Sequence, residues 1–120
     1  MRFVSVFATV NSVGAARKIA RALLEARLAA CVNITGPLES SYWWQGRIER
    51  SREVGLIAKT TASKVPSLIR TVKANHPYEV PCIVAWPIIG GNPGFLRWIE
   101  AETRRPVQRL RRPSKPARKR

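Results

Sequence analysis

SSYWWQGRI, residues 40–48, decides how this chain folds. Ser40 to Trp44 is extended-favouring and aromatic, Gln45-Gly46 carries the signal of a tight turn, and Ile48 begins a second run. Two strand-like runs joined so closely must return antiparallel, so the stretch reads as a hairpin tip. On its N-terminal side, Ala30 to Ile34 reads as a strand that is interrupted around Gly36-Pro37 and resumes at Ser40. On its C-terminal side, the polar IERSREV leads into the more apolar VGLIAKT near Thr60. The spacing predicts a long hairpin with one end projecting beyond the core.

The flanks supply the rest of the fold. Phe3 to Thr9 is aromatic and β-branched with apolar side chains on both faces, as a strand covered on two sides requires. Asn11 or Ser12 can cap a helix through about Leu28, with Ala16, Ile19, Ala20 and Leu23 as its apolar stripe. Ser63 to Ala74 repeats the pattern with Val65, Leu68, Ile69 and Val72, and Pro66 falls in the first turn, where no donor is needed. Pro77 disfavours helical geometry in the residue before it and ends that helix at Asn75 or His76. Cys82 to Trp86 is a fourth strand closed by Pro87, and Asn92-Pro93 is an N-cap and N1 pair for a last helix bearing Phe95, Trp98, Ile99 and Glu102.

The order β-α-β-β-α-β followed by a helix predicts an α+β, ferredoxin-like subunit with two helices on one face of the sheet. The second face then lacks cover, although its strands carry apolar residues and Tyr42, Trp43 and Trp44 cluster in the hairpin. Self-association is expected.

Composition limits the functional classes. The 120 residues suffice for one domain, expected over 1–103. The net charge of +15 is concentrated in 104–120, a basic, Pro-containing tail with nine Lys or Arg and no acid, expected to be disordered. Pro106, Pro113 and Pro116 break any long helix, and no aromatic is available for base stacking. Such a polycation implies weak, salt-sensitive contact with nucleic acid or an anionic surface. Cys31 and Cys82 sit in apolar runs without CxxC spacing, so buried free thiols are expected. MRFVSVFATV has too short an apolar stretch for a signal segment, and no run reaches the roughly 20 residues of a membrane span. A cytoplasmic protein is expected.

Chemistry-bearing residues are scarce. There is no aspartate, no GxSxG elbow and no Walker loop, and the single histidine, His76, lies near only one carboxylate, Glu79. No enzymatic activity is expected. His76 is the best single metal ligand, with Glu79 a second donor, yet a tight site wants about three or four protein ligands. The competing reading of HPYEVP, residues 76–81, is a stiff elbow whose histidine meets the carbonyls at a helix end. GGNPGF, residues 90–95, fits neither phosphate-loop spacing, and a turn plus N-cap explains it.

Five blocks carry a resemblance: LAACVNI (28–34), SSYWWQGRI (40–48), KTT (59–61), HPYEVPCIVAWPI (76–88) and GNPGFLRWIE (91–100). Together, over about residues 3–102, the chain resembles the CutA divalent-cation tolerance proteins. The resemblance implies a compact homotrimer built by strand pairing between subunits, a link to tolerance of copper and other divalent metal ions, copper binding, and no firmly attached reaction. It also implies copper ligands at a cysteine ending the first strand and at two adjacent histidines. Ala8 stands at the first position and Asn75 at the second, so only His76 matches. In a trimer the clefts between subunits would be lined by Tyr42, Trp44 and Tyr78, where a small ligand or partner of a signalling or scaffold protein would sit.

Overall fold

The structure, a computed structural model, describes residues 2–106. Its elements run β1 (Phe3–Val10), α1 (Val13–Glu25), β2 (Cys31–Trp44), β3 (Arg47–Thr61), a 3-10 turn (Ala62–Lys64), α2 (Val65–Ala74), β4 (Ile83–Ile88) and α3 (Pro93–Arg104). The four strands form one sheet in the order β2-β3-β1-β4, every neighbour antiparallel. This is the ferredoxin-like arrangement read from the sequence. Beyond 106, the tail expected from 104 lies outside the described residues; Arg104 itself closes α3.

Strand alternation sets the core. Val4, Val6, Ala8 and Val10 of β1 and Leu56 and Ala58 of β3 meet Ala16, Ile19 and Leu23 of α1 and Leu68 and Val72 of α2. Ser12 caps α1, its hydroxyl accepting from the Ala15 amide at 3.1 Å. The helix stops at Glu25, three residues before the expected end at Leu28. Arg27 adopts a left-handed φ of 57°, and the Leu28 amide donates back to the Leu23 carbonyl at 2.9 Å, which closes a Schellman turn and seats Leu28 in the core. From that turn the Arg27 guanidinium reaches the Glu102 carboxylate at 3.0 Å and ties α1 to α3.

The hairpin is continuous where an interruption was expected. Gly36-Pro37 is a cis bond inside β2, and the irregularity survives as a register shift between Thr35 and Leu38. Beyond it, Leu38 to Trp44 pairs with Glu53 to Arg47, and residues 41–48 all stand in solvent. Gln45 and Gly46 both have positive φ, 50° and 79°, the pairing that a two-residue type I′ turn needs. At Gly55 a Cβ would come within 2.9 Å of Thr35 Cγ2 and 3.2 Å of Phe7 Cε1, so only glycine lets β1 and β2 close on β3 there.

Two further expectations are corrected. β4 runs through Pro87 to Ile88, because an edge strand has a side with no ladder to interrupt. Neither thiol is buried: Cys31 is half-buried on the sheet face opposite the helices, and Cys82 is exposed just before β4. The sheet face opposite α1 and α2 carries Phe7 and Trp86, stacked with centroids 5.5 Å apart, beside Val84 and Ile57. Nothing among the described residues covers Trp86, which is 51% exposed.

Candidate functional site

The segment between α2 and β4 is built around the imidazole of His76. Asn75 caps α2, its side-chain amide donating to the Thr71 carbonyl at 2.9 Å. The Tyr78 amide donates to His76 Nδ1 at 3.1 Å, which leaves Nε2 as the protonated nitrogen that donates to the Thr9 carbonyl at 2.7 Å. That carbonyl is available because β1 and β4 part company after the Ala8–Ile83 pair. The His76 and Tyr78 rings lie 4.8 Å apart at 55°. His76 is thus a bracket between the end of β1 and the elbow, and it fixes where Tyr78 points.

Both ring nitrogens are therefore engaged by backbone, and a metal ion at either would have to displace one of these bonds. Glu79 is exposed, and among the described residues no group of three or more His, Cys, Asp or Glu is placed to hold a metal ion. The donor set of one chain does not fit a closed metal centre.

The bracket completes a cavity of about 880 Å³. One wall is the hairpin, with Leu38, Tyr42, Trp43, Trp44 and Glu53; the floor is Phe7 and Thr9 of β1; the other wall is the elbow from Tyr78 to Cys82. Strand pairing explains the first wall: Leu38 faces Glu53, Ser40 faces Ser51 and Tyr42 faces Glu49, so alternation puts Tyr42, Trp44 and Glu53 on one face. The Tyr42 hydroxyl lies 3.3 Å from Ser51 Oγ, which holds the ring upright. The cavity has the size of a small-molecule site, and its lining joins aromatic side chains to the carboxylates Glu39, Glu53 and Glu79.

Burial first, and then the facing Glu53 carboxylate, push the Tyr78 phenol up to about 12, with a smaller push from Tyr42. The folded protein thus keeps the phenol proton above the pH at which the unfolded chain would lose it. The stabilisation from this group is complete below a pH of about 10 and is lost as pH rises through about 12. Glu53→Gln should bring the Tyr78 transition down toward 10 without reaching it, because burial remains; ultraviolet titration of tyrosinate reads the shift. An unmoved transition would show that the carboxylate plays no part.

The structure brings Tyr42, Trp44 and Tyr78 to one cavity, with Glu79 on its rim and His76 just behind it. Sequence reading missed Glu53, lost in the polar run IERSREV, and missed Phe7 and Trp43 as lining residues. Alternation back from Gly55 would have placed Glu53 on the open face; only the elbow's position reveals what it meets. At the start of α3, Asn92 Oδ1 accepts from the Gly94 amide at 3.1 Å, so the glycine-rich run before α3 is a cap.

An antiparallel sheet in βαββαβ order, with α1 and α2 on one face and an aromatic cavity on the other, defines a ferredoxin-like domain with a ligand-sized site at its hairpin. The family model for the CutA1 divalent ion tolerance protein matches residues 4–102, and the chain belongs to that family. It is 51% identical over 98 residues to the divalent-cation tolerance protein CutA of Thermus thermophilus, covering 82% of this chain and 95% of that one. The rice chloroplastic protein CutA 1 is 43% identical over 99 residues, and there the chain spans just over half the relative's length, 56%. The solved CutA1 from Oryza sativa superposes with a TM-score of 0.83 at 41% identity, over 87% of this chain and 95% of that one. CutA from Archaeoglobus fulgidus, described as a periplasmic divalent cation tolerance protein, gives 0.82 at 42%, over 84% and 98%.

Proposed function

We propose that this chain works as a cytoplasmic homotrimer in tolerance of copper and other divalent cations, without a catalytic step, through occupancy of the aromatic cavity rather than a closed metal centre. The observation that carries this reading is that Tyr42, Trp44 and Tyr78 line one cavity while both nitrogens of His76 are bound by backbone. Three copies would cover one another's open sheet faces, where Phe7, Val84 and Trp86 lie, and would turn each cavity into a cleft between subunits.

The alternative gives His76 to copper. Titrating copper(II) into the wild type and His76→Ala, with tryptophan fluorescence as the signal, separates the two. Affinities within about twofold of each other are expected. A loss of about tenfold or more in His76→Ala, about 1.4 kcal/mol, would make the imidazole a ligand and overturn the reading.

A further inference from the structure

The cavity has an electrostatic character that the chain as a whole does not share. In a protein of net charge +15, three of the seven acidic residues, Glu39, Glu53 and Glu79, line this one cavity, and no Lys or Arg does. Glu53 is only 7% exposed, and among the described residues no ion pair includes any of the three. The Tyr78 phenol faces Glu53, but one phenol fills a fraction of the acceptor positions of a carboxylate and brings no positive charge. A nearly buried carboxylate without a cation is costly unless something supplies one.

The surroundings narrow what that cation is. An inorganic divalent ion wants several convergent hard or imidazole donors, and no such group exists among the described residues. What lies beside Glu53 instead is π-surface: the Tyr78 phenol faces it and the Tyr42 hydroxyl reaches back to Ser51, two residues before it, while Trp44 stands further along the same wall. Aromatic faces beside a carboxylate recognise ammonium groups carried on an apolar body, with the charge attracted by the ring quadrupole and the body sheltered from water. Phe7 and Leu38 supply the apolar floor for such a body. Resting on the cavity reading above, we infer that the site takes a small organic cation, a primary or quaternary amine on an aromatic or aliphatic frame, with Glu53 as its counter-charge, Tyr78 and Tyr42 as the aromatic faces beside the charge, and Trp44 further along the wall on the side of the frame.

Four probes of one frame test this on the intact protein: benzyltrimethylammonium, benzylamine, benzyl alcohol and benzoate, each followed through the indole N–H resonance of Trp44. The two cations should bind at least about tenfold more tightly than benzyl alcohol, with benzoate weakest. Glu53→Gln, checked for unchanged mass in solution, should reduce that preference to about twofold or less while benzyl alcohol binds as before. Trp44→Ala, at a partly exposed position that leaves the fold intact, should weaken all four. Equal binding of benzyl alcohol and the cations, or an undiminished preference in Glu53→Gln, overturns the organic cation and leaves the cavity reading standing. If none of the four shifts the Trp44 resonance, the cavity is not a ligand site and both readings fall.

Discussion

Leu68→Ala should lower the unfolding free energy by about 2–5 kcal/mol, the range for deleting a fully enclosed leucine. Leu68 has no exposed surface and lies in the cluster where α2 meets α1 and the sheet. The loss combines the transfer free energy of the missing carbons with the hole they leave, because neighbours such as Ile19 and Val72 are themselves held on helices that cannot close in far. The consequence should extend to the site. α2 runs directly into the His76 bracket, so loosening the helix on the sheet frees Tyr78 and weakens cavity binding along with stability. Chemical denaturation at one fixed protein concentration measures the first effect, and the control Arg70→Ala, on the exposed side of the same helix, should change stability by less than about 0.5 kcal/mol. A change below about 1 kcal/mol for Leu68→Ala would mean that α2 is not anchored as described.

Trp86→Glu should convert the proposed trimer into single chains at micromolar concentration. Trp86 lies on the open face along the edge strand β4, stacked on Phe7 with Val84 beside it, and half of its surface stays in water in one chain. Covering about 100 Å² of that ring in each subunit is worth about 2.5 kcal/mol per site. A glutamate there exchanges this gain for a desolvation penalty of several kcal/mol, repeated in each subunit. Light scattering reads the result directly: the mass of three chains for the wild type and for Trp86→Phe, and of one chain for Trp86→Glu. The fold of the variant should persist, because the helix-side core does not include Trp86. A wild type with the mass of one chain would remove the trimer and the cleft between subunits together.

Local signals announced most elements. Ser12 and Asn92 cap their helices as their side chains demand, Pro77 ends α2 through its clash with the preceding residue, and Gln45-Gly46 turns the hairpin. The misjudged boundaries were those set by distant partners. Arg27 looks like an ordinary helical residue until its left-handed turn is seen to seat Leu28 in the core and to reach Glu102. The strand through Gly36-Pro37 looks broken until β3 supplies a continuous ladder beside it. Pro87 looks like a strand end until β4 is known to be an edge.

For the site the division is sharper. Residue type alone marked Tyr42, Trp44 and His76, since aromatic side chains in a projecting hairpin and a proline-boxed imidazole stand out in any reading, whereas Tyr78 joined them only through the trimer that the resemblance implies. Glu53 did not stand out, because a glutamate in a charged strand is ordinarily solvated, and only the approach of the elbow removes the water.

By itself, then, the order of residues determined the strand and helix succession, the two-sided apolar character of the sheet and the family, all of which depend on periodicity and on side chains near in sequence. Tertiary structure alone decided that Thr9, 67 residues from His76, would take up its imidazole, and that Glu53 would face Tyr78 across a cavity. The physical reason is that hydrogen-bond partners and burial are properties of the space between elements, and that space exists only once the sheet register and the bracket behind Tyr78 have closed it.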